Sequence, residues 1–114
     1  MITIYHNPQC STSRKALARL QETGQELRVI DYRKTPPDRA TLVRMIRDAG
    51  LSVREALRQR NTPYEELGLD DPSLDDEALL DAIAAHPTLL QRPFVVTPKG
   101  TRLARPPERL EEIL

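Results

Sequence analysis

The stretch from Met1 to Asp31 constrains this chain more than any other part of it. Met1-Ile2-Thr3-Ile4-Tyr5 is short, β-branched and aromatic, which reads as a strand, and His6-Asn7-Pro8 breaks it. Ser11 to Glu22 follows with Ala16, Leu17 and Leu20 on one face and Gly24 as a stop, so it reads as a helix. Leu27 to Asp31 reads as a second strand. Two short strands joined by a helix suit a right-handed parallel crossover within one sheet. The expected class is therefore α/β.

The remainder extends that sheet after a helical interlude. Thr35-Pro36-Pro37-Asp38 reads as a turn, with Asp38 capping a helix that runs to about Ala49 and buries Leu42, Met45, Ile46 and Ala49. Ser52-Val53-Arg54-Glu55 has the spacing of a capping box and predicts a short helix carrying Arg54, Arg58 and Arg60. Pro63 opens an irregular stretch, and a further helix from Asp75 to Ala85 uses Leu79, Leu80 and Ile83 before His86-Pro87 closes it. Phe94-Val95-Val96 and Arg102-Leu103-Ala104 flank Pro98-Lys99-Gly100, which predicts a hairpin with Gly100 at a positive φ. Pro106 and Pro107 begin a C-terminal helix. The order β-α-β, about four helices, β-hairpin, α predicts a mixed sheet with helices on its faces. One domain, 1–114, is expected, with a helical insertion over approximately 38–85.

Composition excludes several function classes. With 114 residues there is chain for one core, and an aromatic share of 4% leaves Leu, Ile, Val and Ala to fill it. Seventeen basic and seventeen acidic residues sum to zero, which argues against a nucleic-acid or anionic-membrane partner. The charges are nevertheless segregated: Glu65 to Asp81 carries only acids and Arg92 to Arg105 only bases. The acidic run reads as a solvated helical face. No apolar run approaches the roughly 20 residues of a membrane span, and the opening MITIYHNPQC has no signal-peptide character, so a cytoplasmic protein is expected.

The one cysteine, Cys10, leaves no internal disulfide and no multi-cysteine metal site. With His6 and His86 it lacks the paired spacing of zinc ligands, so no metal is expected. Its position is more telling. A thiol just after a strand and just before a helix meets free backbone N–H groups and the positive end of the helix dipole, which stabilise thiolate and can cradle an oxyanion. Ser11, Thr12 and Ser13 add hydroxyls there, and His6 and Arg14 are placed to add positive charge. A small buried hydrophobe at a strand end is the bland alternative for Cys10. For His6 the alternative is plain packing. Arg92-Pro93 and Arg105-Pro106 put arginines on restricted backbone, suited to an anion clamp as well as to surface covering. Arginine, which far outnumbers lysine here, binds oxyanions as a bidentate fork.

His6-Asn7-Pro8-Gln9-Cys10-Ser11-Thr12-Ser13-Arg14 resembles the signature of the glutaredoxin-coupled, glutathione-dependent arsenate reductases, a thioredoxin-like family with a helical insertion. The resemblance runs through Pro36-Pro37, Ser52-Val53-Arg54 with Arg58, Pro63-Tyr64-Glu65-Glu66-Leu67-Gly68-Leu69, His86-Pro87, Arg92-Pro93-Phe94-Val95-Val96-Thr97-Pro98 and Arg105-Pro106. It implies that Cys10 is the nucleophile toward arsenate, forming a thioarsenate ester, and that His6 helps to activate it. It also implies oxyanion-binding or transition-state roles for Arg58, Arg92 and Arg105, and a cis peptide before Pro93. Ser11, Thr12 and Ser13 are carried along as substrate-binding candidates. Glutathione would be the second thiol and co-substrate, glutaredoxin the partner that clears the mixed disulfide, and no bound cofactor is called for. Ending at Leu114, the sequence is similar to the shorter chromosomal branch rather than to the longer plasmid-type members.

Two other classes share the pattern. A monothiol glutaredoxin-like thiol-disulfide oxidoreductase would use Cys10-Ser11-Thr12-Ser13, yet would not need Arg58, Arg92 and Arg105 together. An Spx-like regulator binding RNA polymerase would sense oxidation with a Cys-x-x-Cys pair, and here the second position is Ser13.

Overall fold

The computed structural model describes residues 1–114. In chain order the elements are β1 (Ile2–His6), α1 (Ser11–Glu22), β2 (Leu27–Asp31), α2 (Arg39–Asp48), α3 (Asp76–Ala85), β3 (Phe94–Thr97) and β4 (Gly100–Leu103). Short 3₁₀ segments lie at Arg54–Ala56, Pro87–Leu89 and Pro107–Glu112. The four strands form one mixed sheet in the order β2-β1-β3-β4. β1 and β2 are parallel, with Ile2 beside Leu27 and His6 beside Asp31. β3 runs antiparallel to both β1 and β4, pairing Phe94 with Tyr5 and with Leu103. This register brings the end of β1, the start of β3 and the end of β4 to one margin of the sheet.

Two compact units make up the chain. The first combines Met1–Pro36 with Arg92–Leu114 and holds the whole sheet. Its core is Ile2, Ile4, Ala16, Leu20, Val95, Ala104, Leu110 and Ile113, none more than 1% exposed. These are aliphatic groups from β1, α1, β3, the residue after β4, the last 3₁₀ segment and Ile113 just beyond it. Removing such side chains from water is the main favourable term in folding. Gly24, at φ +70, takes the left-handed conformation that stops α1, while the Thr23 N–H bonds to the Leu20 carbonyl. The predicted hairpin is present, with Pro98-Lys99 as its connection and Gly100, at φ +157, opening β4.

The second unit is Pro37–Gln91. Asp38 caps α2 by accepting from the Thr41 N–H at 2.8 Å, and Asp75 caps α3 by accepting from Ala78 at 2.9 Å. Ser52 and Glu55 form the predicted reciprocal box: the Ser52 N–H donates to Glu55 Oε1 (2.9 Å) and the Glu55 N–H to Ser52 Oγ (3.1 Å). The helix it opens stops after a single 3₁₀ turn, however, because Leu57 turns extended and bridges to Leu90. The Arg58 N–H then bonds to the Leu89 carbonyl and the Gln91 N–H to that of Ala56. Arg58 and Arg60 consequently lie beyond the helix expected to carry them. Arg54 instead ties down the irregular stretch, donating to the Tyr64 hydroxyl and to the carbonyls of Leu69 and Asp71. The C-terminal helix is likewise 3₁₀, with Pro107 in its first turn. No helix is long and apolar enough to cross a membrane.

Candidate active site

The site grows from the break between β1 and α1. After His6 the Asn7 carbonyl accepts from the Cys10 N–H (3.0 Å) and the Asn7 carboxamide Oδ1 accepts from the Gln9 N–H (3.0 Å). These bonds close a tight turn whose tip, Pro8-Gln9, is exposed. Arg14 braces it from outside, donating Nη1 to the Pro8 carbonyl at 2.9 Å. Cys10 is the N-cap of α1 with extended backbone, φ −97 and ψ 122, and its carbonyl accepts from the Arg14 N–H at 3.0 Å. Its half-buried thiol therefore sits over the unpaired first-turn N–H groups of a twelve-residue helix.

Two arginines converge from the sheet margin. Arg105 follows Ala104, whose N–H bonds to the Pro93 carbonyl at 2.9 Å and so links the start of β3 to the end of β4. Arg105 Nη1 donates to Cys10 Sγ at 3.7 Å and to the Arg92 carbonyl at 3.0 Å. Arg92 Nε is buried without a hydrogen-bond partner. Both Arg92-Pro93 and Arg105-Pro106 are cis peptides, the first as the family resemblance implies. Burial pushes the Cys10 thiol up, but the Ser13 backbone N–H, hydrogen bonds from Arg92 and Arg105, and the Arg92 charge outweigh it and bring the thiol down to about 7. Near neutrality about half of it is thiolate, against a few per cent for an unperturbed thiol.

His6 stands differently from the sequence expectation of a nearby positive charge. It is 8% exposed, and its Nδ1 lies 2.7 Å from Ser13 Oγ. Burial lowers its pKa, the Asp31 charge opposes this, and the Arg33 and Arg14 charges lower it further. His6 is thus neutral at neutral pH, and its route to the thiol runs through Ser13. Ser13 is wholly buried, and its hydroxyl also accepts from the Asn7 N–H at 3.0 Å. What Ser13 offers an anion is its backbone N–H. Ser11 is exposed and Thr12 half-buried in the first turn of α1.

Arg58 belongs to the second unit, where its Nε donates to the Arg60 carbonyl at 3.1 Å. Two participants escaped the sequence reading, Asn7 and Tyr32. Asn7 is 5% exposed and uses its N–H, its carbonyl and both ends of its carboxamide, the Nδ2 donating to the Tyr32 hydroxyl at 3.3 Å. An Asn followed by Pro after a strand is a turn signal that marks the first of these. Nothing local marks Tyr32, which is distant in sequence and wholly buried. The structure contains no group of three or more His, Cys, Asp or Glu side chains arranged to hold a metal ion.

The arrangement is a half-ionised thiol at a helix N-terminus, faced by two guanidiniums and suited to nucleophilic attack on an oxyanion. Known proteins resemble this chain over nearly its whole length. The chain is 57% identical to an arsenate reductase of Rhizobium meliloti over 113 residues, covering 99% of this chain and 81% of the relative. It is 52% identical to an arsenate reductase of Escherichia coli strain K12 over the same length, covering 80% of that relative. An arsenate reductase structure from Vibrio cholerae superimposes with a TM-score of 0.93 at 45% identity, over 99% of this chain and 97% of that one, and the fold is thioredoxin-like. The ArsC family model matches residues 5–113, nearly the whole chain with the Cys10 turn, Arg92 and Arg105 inside the match, and the protein belongs to the ArsC family.

Proposed function

We propose that this chain is an arsenate reductase that converts arsenate to arsenite with thiol electrons. The observation that carries the reading is Cys10 at the N-cap of α1, with the Arg105 guanidinium on its sulfur and the buried Arg92 Nε unpaired beside it. Arsenate is an anion, and a thiolate attacks it only where cations offset the repulsion and hold the oxygens in place. Cys10 Sγ would bond to arsenic(V) as one oxygen leaves as water. A glutathione thiolate then attacks Cys10 Sγ, the S–As electron pair passes to arsenic, and arsenite departs as arsenic(III). Two thiols have become one disulfide, matching the two electrons gained. Glutathione is needed as co-substrate because the chain has one cysteine and no resolving thiol of its own. Glutaredoxin is the partner that takes the glutathione from Cys10. No bound cofactor, nucleic acid or membrane enters the scheme, and the cytoplasm, where thiols are kept reduced, suits it.

Within the scheme Arg92 and Arg105 bind the substrate oxygens together with the first-turn N–H groups at Ser11, Thr12 and Ser13. His6 acts through Ser13. For Arg58 the support is the family resemblance alone. A monothiol glutaredoxin-like activity would leave the paired arginines without purpose. The test is NADPH oxidation coupled through glutathione reductase, glutathione and glutaredoxin. The wild type should turn over in an arsenate-dependent manner and Cys10→Ser should not. An inactive wild type with competent glutaredoxin, or an active Cys10→Ser, would end the assignment.

A further inference from the structure

We propose that Tyr32 is a positioning residue for the Cys10 site, holding the Asn7 carboxamide through its hydroxyl so that Asn7 fixes the turn carrying Cys10 and the Ser13 side chain beneath it. Tyr32 lies just past β2 and is 0% exposed. Its hydroxyl accepts from Asn7 Nδ2 at 3.3 Å. With Nδ2 pinned there, Oδ1 of the same amide faces the Gln9 N–H, and the Asn7 carbonyl takes the Cys10 N–H, both at 3.0 Å. The Asn7 N–H holds Ser13 Oγ at 3.0 Å, where the hydroxyl also meets His6 Nδ1 at 2.7 Å. Ser13 is the third residue of α1, whose N–H faces the N-cap side chain in an N-capped helix. One buried phenol thereby orients the chain on both sides of the thiol.

A buried carboxamide satisfied at both ends has one orientation, whereas one that has lost its Nδ2 partner can flip or shift. The Tyr32 hydroxyl bonds to Asn7, whereas the side-chain donor on Cys10 Sγ is Arg105. The charged groups that do face Cys10 are Arg92, before β3, and Arg105, after β4, while Arg14 on its own helix is engaged with Pro8. None of them is altered by removing the Tyr32 hydroxyl, so an effect on the thiol has to pass through Asn7. The inference rests on Cys10 being the reactive group, and its readout is the thiol itself, without arsenate.

The experiment is the pH profile of Cys10 alkylation by iodoacetamide in the full chain, for wild type, Tyr32→Phe, Asn7→Ala and the double variant, with far-ultraviolet circular dichroism confirming the fold. Tyr32→Phe is expected to move the profile to higher pH and slow alkylation about threefold on its acid side. The double variant is expected to match Asn7→Ala, since the phenol acts only through that amide. A Tyr32→Phe profile that overlays the wild type overturns the proposal, and so do effects of the two changes that multiply. Should Asn7→Ala fail to fold, Tyr32→Phe alone decides, by a shifted or an unshifted profile. Loss of arsenate turnover with an unshifted profile would likewise count against positioning, while a shifted profile in a chain inactive on arsenate would sustain it and overturn the substrate assignment instead.

Discussion

A thiol brought down to about 7 is held there against burial, which acts on it more strongly than any single favourable neighbour. The Ser13 N–H contributes most to the opposition, ahead of the Arg92 and Arg105 hydrogen bonds and the Arg92 charge. Arg92→Ala removes both a donor and a cation, so the Cys10 thiol should rise by on the order of one pKa unit. In the coupled arsenate assay the same variant should raise KM or lower turnover while the chain stays folded, and unaltered arsenate kinetics would remove Arg92 from the oxyanion site. At this scale the sequence was informative wherever chemistry is announced by residue type and neighbour. Cys10 between strand and helix, and Arg92 and Arg105 before prolines, could be singled out by eye. The state of His6 could not, because its neutrality comes from burial and from Arg33 and Arg14 outweighing the Asp31 charge beside it in the ladder. Nor could Tyr32, whose part depends on one hydrogen bond to a residue twenty-five positions away.

Elements were legible where their signals are local. α1 runs over the residues its periodicity predicts, β2 likewise, and Asp38 and Asp75 cap α2 and α3 through their side chains. The capping box at Ser52 formed, yet the helix ended at once, because the Leu57–Leu90 bridge and the bonds of Arg58 and Gln91 claimed the next residues for an extended pairing. A cap signals where a helix starts and carries no information about competing partners far along the chain. The cap of α3 offers a clean test of element energetics. Asp75→Ala leaves the Ala78 N–H without its acceptor and should lower stability by about 1 kcal/mol, read as a lower urea midpoint with an unchanged slope. An unmoved midpoint would mean that water caps α3 equally well.

Over the whole molecule the formal charge of zero conceals a uniform electrostatic bias. Every resolved shift among the groups that titrate from acid to mildly alkaline pH is downward. Arg33 holds the Asp31 carboxyl down at about 2, and partners lower Asp38, Glu55, Asp71, Glu111 and Glu112 as well. A carboxyl with a lowered folded pKa adds stability that is present above its ordinary value, near 4, and lost as pH falls through the folded value. His6 has the same sign: below its ordinary value, near 6.5, the unfolded chain takes up a proton that the folded chain refuses. So does Cys10, whose stabilisation grows as pH rises from about 7 toward the ordinary thiol range. In each window the unfolded state binds more protons, and the slopes add rather than cancel. Acid also strips the seventeen carboxylates of charge while seventeen basic side chains remain, so repulsion among them works in the same direction. Melting temperature should therefore fall continuously from about pH 8 to pH 5 and steeply below about pH 4, without the acid-side maximum that a raised, ion-paired histidine would give. Calorimetry across that range checks it, and His6→Gln separates the contributions. That variant should flatten the slope in the window just below about pH 6.5 and leave the carboxylate limb in place. A melting temperature that rises on acidification through this window would mean that His6 is charged in the folded chain, and the neutral imidazole beside Ser13 would have to be given up.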